Sequence, residues 1–276
     1  MKMLRCLALP VIASCVLLSS QVAADSRQGM HPLQNSRFYG RVGAFYADVD
    51  GYYQNHRSDG TSGPKLDYDL LGLDDSQTMP IGEFVWRVTD RLRIQAEYLN
   101  ISEDNKGAIE RDISWGNVDF TAGVAVQTDL DLDIARLLFG YSILKDEVKE
   151  LGLGIGLHYA EIDISLSGQG SINGTPVASA EEELDEWGAM PNVGVYGNYA
   201  LSPKWLLEGR ADWMDMSYSD YSGDLWHVEA GVQYQAFKHV GIALAYRYLE
   251  LNIEDDDSWE ADIDYTGPIL YITGNF

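Results

Sequence analysis

Arg91-Leu92-Arg93-Ile94-Gln95-Ala96-Glu97-Tyr98 alternates without a break. Leu92, Ile94, Ala96 and Tyr98 share one parity; Arg91, Arg93, Gln95 and Glu97 share the other. A β-strand sends successive side chains to opposite faces, so this segment reads as a wall with one greasy and one polar side. Phe38-Tyr39-Gly40-Arg41-Val42-Gly43-Ala44 repeats the pattern, with Arg41 set against an apolar or small parity. Residues 84–88, 135–143, 151–159, 193–199, 205–213, 226–234, 240–248 and 268–276 do the same, which makes ten candidate strands. The predicted fold is all-β: a single antiparallel up-and-down transmembrane β-barrel of ten strands, with eight or twelve as alternatives.

Connections between these segments alternate in length. Thr89-Asp90-Arg91, Lys145-Asp146-Glu147, Ser202-Pro203-Lys204 and Phe237-Lys238-His239 read as tight turns. Between them lie long acidic stretches at 48–79, 101–130, 164–188, 215–224 and 251–265. Short periplasmic turns and longer external loops are the asymmetry expected of outer-membrane barrels, with both chain ends in the periplasm. Within the loops, 108–115 and 124–133 look extended and could pair as a hairpin above the membrane.

The chain opens with Lys2 and Arg5, an apolar stretch at 7–18 and Val22-Ala23-Ala24, the anatomy of a cleaved secretory signal. This assigns 1–24 to a signal peptide and 25–276 to one barrel domain. Ile12-Ala13-Ser14-Cys15 is a rival lipobox, but the residues after it stay apolar where a lipoprotein start is polar. Both cysteines, Cys6 and Cys15, fall in the leader, so the rest of the chain has no thiol, disulfide or cysteine metal site. With 43 acidic against 19 basic residues, the net charge of −24 opposes nucleic-acid binding. Disorder is a poor account of that charge when 46% of residues are hydrophobic. After the leader no run is long and apolar enough for a membrane helix.

A water-soluble β-sandwich or lipocalin-like barrel would also alternate. Two features favour the membrane. The apolar parity must face outward if Arg and Glu line the interior. Tyr46, Tyr98, Tyr141, Tyr159, Trp205, Trp213, Trp226, Tyr234 and Tyr248 also sit near strand ends, where rings with polar tips form girdles at the headgroup level.

Gly267-Pro268-Ile269-Leu270-Tyr271-Ile272-Thr273-Gly274-Asn275-Phe276 resembles the C-terminal strand of bacterial outer-membrane proteins. In that group a terminal Phe with apolar residues at every second position is read by the barrel-insertion machinery. Leu270, Ile272 and Phe276 match this signal, and Gly274 departs from it. With Leu71-Gly72-Leu73-Asp74-Asp75 and Leu151-Gly152-Leu153-Gly154-Ile155-Gly156-Leu157-His158, the chain is similar to uncharacterised proteobacterial barrel proteins of the OmpA-like superfamily. The resemblance implies the fold and hardly any activity.

The inward parity gathers Arg41, Arg87, Arg93, Arg136, Arg210 and Arg247 against Glu83, Glu97, Glu150, Glu208, Asp212 and Glu229. These could line a selective pore or pair with one another to fill the lumen. Ten strands enclose little space, and unpaired charge there is costly, so the expectation is a network of ion pairs that includes His158 and His227. Either histidine could act as a general base with Glu150 or Glu229 as orienter, but the position two residues on is Ala160 or Glu229, not the Ser of a barrel deacylase. Gly152, Gly154 and Gly156 share the inward parity and suit close packing, not a phosphate loop.

The acidic clusters at 67–69, 129–133, 181–186 and 255–257 lack the spacing of a calcium loop and read as solvated loops. The reading is a monomeric outer-membrane barrel with a plugged, charged lumen and acidic external loops, structural or surface-binding in role. A small porin is the first alternative and a lipid- or peptide-hydrolysing barrel enzyme the second. Expected partners are outer-membrane lipids, lipopolysaccharide and the insertion machinery; no cofactor or metal is expected.

Overall fold

The computed structural model describes residues 30–56, 62–67, 75–109, 111–115, 118–172, 174–218, 221–255 and 259–276. The expected signal peptide, the 71–74 loop, Tyr68-Asp69 and Asp256-Asp257 lie outside them. A short helix α1 (Pro32–Asn35) precedes thirteen strands. These are β1 (Phe38–His56), β2 (Ser62–Asp67), β3 (Ser76–Arg87), β4 (Leu92–Ala108), β5 (Ile113–Trp115), β6 (Val118–Phe120) and β7 (Ala125–Lys145). After them come β8 (Lys149–Ile172), β9 (Thr175–Ala200), β10 (Trp205–Tyr218), β11 (Tyr221–Tyr234), β12 (Val240–Asp255) and β13 (Trp259–Asn275).

All thirteen join one antiparallel sheet. The expectation of ten strands is corrected to thirteen among the described residues. The additional three, β2, β5 and β6, are short and stand in stretches that read as loops. Long strands pair with their sequence neighbours: β3 with β4, β4 with β7, β7 with β8, β8 with β9, and onward to β12 with β13. β1 pairs with β3 on one edge and with β13 on the other. First and last strand meet where Phe38 and Phe276 exchange backbone hydrogen bonds of 3.0 and 2.8 Å.

The acidic stretches are another correction, because most of their length is strand. β8 and β9 stay paired out to Ile172 and Thr175, with one register shift between Gly168 and Gly170. The charge run at 181–186 reads as loop from composition alone, yet it is strand paired with β8, and its alternate positions Glu182, Leu184 and Glu186 are half-buried. Ala180 is buried, and Leu184 packs against Ile164 and Leu166 in an apolar cluster. The suggested hairpin is half right: Ala108 pairs with Ala125, but Ile113–Trp115 pairs with Val118–Phe120.

Burial follows parity. Val42, Ile155, Leu270 and Ile272 are each at least 60% exposed, and Phe139, Leu153, Leu207, Leu244 and Phe276 join them on the outer face. In water such an unbroken apolar wall would be a liability; in a bilayer it is the solvated surface. Ring pairs mark its edges, Trp205 tilted against Tyr234 at 4.8 Å and Tyr159 stacked on Trp187 at 6.1 Å.

The inner face is layered along the strands. At the end with the short turns, Leu33 of α1 packs on Ala200 and Leu206, and Gln34 Nε2 donates to the Val148 carbonyl (2.9 Å) and Asn198 Oδ1 (3.1 Å). Next comes a charged layer. Beyond it lies an apolar layer with Phe45, Met79, Leu99, Leu132, Leu225, Leu249 and Ile269, then a second apolar cluster around Trp115, Phe120 and Leu166.

Candidate functional site

Strand register builds the charged layer before any side chain reaches across the interior. Arg41, Glu83, Glu97, Arg136 and His158 face one another in succession across β1, β3, β4, β7 and β8. Arg210, Glu229 and Arg247 do so across β10, β11 and β12, with Asp212 opposite His227 one step further along. Directly opposed Glu83 and Glu97 would repel. Guanidinium groups from the far wall compensate them.

Arg41 donates to Glu208 Oε1 (2.7 Å), Glu83 Oε2 (2.9 Å) and Glu229 Oε1 (2.7 Å). Arg210 donates to Glu83 Oε2 (2.9 Å), to Glu97 and to Glu229 Oε2 (3.2 Å). Arg247 joins Glu97 Oε2 (2.9 Å) to Glu229 Oε2 through its Nε (3.0 Å). Carboxylates shared among charged donors make short, strong hydrogen bonds, and the sharing locks three strands to the opposite wall. A second knot ties Arg87 to Glu150 at 2.7 and 3.0 Å, with Ser142 and Asn198 also donating to Glu150.

The expected network residues thus all lie on the inner face, and most are brought together. Arg93 departs from the expectation: its guanidinium lies over the Tyr196 ring, 3.1 Å from the centroid, and bonds Gln95 (3.2 Å) instead of a carboxylate. Gly140 and Gly152 leave room for that ring, since a Cβ at either would collide with Tyr196. The expected orienters of the histidines are also corrected. Glu150 belongs to the Arg87 knot, Glu229 to the arginine cluster, and the carboxylate beside His227 is Asp212.

Ser142, Asn192, Tyr196 and Asn198 are polar members that the sequence reading did not single out, and Gln95 and Tyr271, read there only as strand residues, join them. Parity could have found them, since Asn192, Tyr196 and Asn198 alternate with Val193, Val195 and Tyr199. Leu270, Ile272 and Phe276 face outward, with the Phe276 ring stacked on His239 at 5.7 Å.

Between the charged layer and α1 lies a cavity of about 70 Å³, lined by Leu33, Tyr39, Arg87, Arg93, Asn198 and Glu208 among others. On the far side Phe45, Ala47, Ile269 and Tyr271 are wholly enclosed. The imidazoles of His158 and His227 meet in a T-shaped contact at the border with that apolar layer. Their polar partners are Asn192, Asp212, Arg210 and each other, none of which is a hydroxyl or thiol.

An antiparallel sheet whose first and last strands pair, with an apolar outer wall and a charged inner face, defines an outer-membrane β-barrel protein. Comparison with solved structures supports the fold through one of the matches. The chain is similar to the outer membrane protease OmpT from Escherichia coli, at 11% identity over 87% of this chain and 96% of that one, with a TM-score of 0.62. It is also matched to the outer membrane protein OprG from Pseudomonas aeruginosa (14% identity, 91% and 97% covered, TM-score 0.38). A third match is the toluene transporter TodX from P. putida (10%, 90% and 93%, 0.38). The likeness to OmpT is one of fold, and the expected kinship with the OmpA-like small-barrel group is corrected to this broader likeness. No family model and no curated protein matches the chain.

Proposed function

We propose that the chain is an exported, monomeric outer-membrane barrel in which ten long strands close a cylinder, and that its interior is occluded. Closure is supported by the circuit of pairings, in which β8 bonds both β7 and β9 and β1 bonds both β3 and β13. The single observation that carries the occlusion is the layering: ion-paired charge, then enclosed apolar side chains, with α1 across the opposite end. On this reading the protein acts as a structural element or through its acidic outer extensions, in a setting of outer-membrane lipid and lipopolysaccharide. The outward Leu270, Ile272 and Phe276 suit recognition by the insertion machinery, after removal of residues 1–24.

A narrow channel is the second reading, and one observation favours it. A core needs no charge to be stable, because apolar side chains of equal volume fill space at least as well as buried ion pairs. A charged layer above a polar cavity is what a conduit for small solutes or ions would use, with α1 and the apolar layer as its closed gates. Hydrolysis is a third reading and would need a nucleophile or an activated water beside His158 and His227.

Planar-bilayer recording on the refolded full chain separates the first two. The occluded barrel gives little steady conductance, and large stable channels in the unmodified protein would replace it with the porin reading.

A further inference from the structure

His158, Asp212 and His227 come from β8, β10 and β11, and all three are buried. His158 Nε2 lies 3.4 Å from His227 Nδ1, and His227 Nδ1 lies 3.5 Å from Asp212 Oδ2. All three donor atoms fall within 4.8 Å of one another. Both distances are long for hydrogen bonds between such atoms. They match the separation of about 3.3–3.5 Å that tetrahedral ligands adopt around an ion bound at 2.0–2.2 Å. Departing from the expectation of no metal, we propose that these three side chains form a binding site for a borderline divalent transition ion of the zinc class.

Four features of the surroundings fit. Asp212 Oδ2 is buried and has no hydrogen-bond donor of its own; Arg136 Nη2, although 2.7 Å away, directs its hydrogen bond to Oδ1 at 2.8 Å. His158 Nδ1 is 3.2 Å from Asn192 Oδ1, so a proton held there leaves the Nε2 lone pair aimed at the cluster. Arg210 approaches His227 Nε2 to 3.4 Å, but both hydrogens on its Nη2 have carboxylate acceptors in Glu97 and Glu229. The wall also makes room: a Cβ on Gly194 would overlap the Asp212 carboxylate, and one on Gly156 would lie 2.7 Å from Asn192 Oδ1. Two imidazoles and one carboxylate are N and O donors that suit zinc, with a fourth position left for another ligand. So enclosed a site loads while the chain folds, and the ion then clamps β8 to the β10–β11 hairpin. This holds whether or not the interior conducts.

The test is to refold the full chain in detergent with ZnCl₂ and an excess of Mg²⁺, which occupies the outer carboxylates, then to gel-filter and measure metal content. About one zinc per chain is expected, falling at least tenfold in His158→Gln and His227→Gln while heat-modifiability on gels shows the barrel still folded. Asn192→Ala, which touches no metal, should weaken retention against a chelator by about 10–100-fold. X-ray absorption on the zinc-loaded unmodified chain should show two imidazoles and an oxygen, a readout that stands even if a variant fails to fold. Zinc below about a tenth per chain, zinc that persists in both histidine variants, or a shell of oxygens alone would each overturn the site.

Discussion

Two lengths of the same interior solve the filling problem in opposite ways. Around Arg41, Arg210 and Arg247 the inner face is a shared mesh of guanidinium and carboxylate groups. A few residues further along the same strands it is Phe45, Leu99, Leu225 and Leu249 in contact. The apolar length is held by shape and is tolerant of similar shapes. The charged length is held by count, since each Glu needs the arginines that reach it from other strands. The first can be repacked one residue at a time; the second fails when one member is removed.

The sharpest way to break this contrast is Arg210→Met. It leaves Glu83, Glu97 and Glu229 with one guanidinium fewer in a dry layer, and a loss of about 3–5 kcal/mol is expected in urea titrations of folding into bilayers. A loss under about 1 kcal/mol would mean the layer is hydrated, as in an open pore, and that the two lengths do not differ. In the apolar length Leu225→Ala should cost about 2–5 kcal/mol, and Leu225→Met should recover most of it. Failure of Met to rescue would place Leu225 in a more exacting role than filling space.

On the outer face, Leu244→Arg should cost about 2–4 kcal/mol in bilayers of matched thickness. Arg tolerated at Leu244 but rejected at its inward neighbour Ala245 would reverse the assignment of the two walls. The smallest expected effect lies beyond the membrane belt, on the outward side of β13. Burial first, then Asp262, Glu250 and Asp50, push the Asp264 carboxyl from its ordinary 3.8 up to about 6. Asp50 and Glu250 are its direct cross-strand partners. The folded chain binds this proton more tightly than the unfolded one, so stability should fall as pH rises from about 4 to about 6. Solvent screening keeps the change under about 1 kcal/mol. Asp264→Asn should flatten that part of the stability profile, and an unchanged slope would exclude Asp264 as its source.

Alternation by itself determined which side chains face which wall, because a period of two is a property of the extended backbone and needs no partner. That is why Arg41, Glu97, Arg136 and Glu229 could be assigned inward from sequence, and Leu270 and Ile272 outward. Composition misled where charge and strand coincide: 181–186 looks solvated, and only its pairing with β8 gives its alternate positions something to bury. Register across strands decided which charges adjoin, and the curvature of the sheet decided which ones meet across the interior. Arg210 reaches Glu83 and Glu97 from more than a hundred residues away. Asp212 and two histidines likewise converge from three strands. Such distances along the chain carry no sequence signal, since the contact depends on the path of the whole sheet.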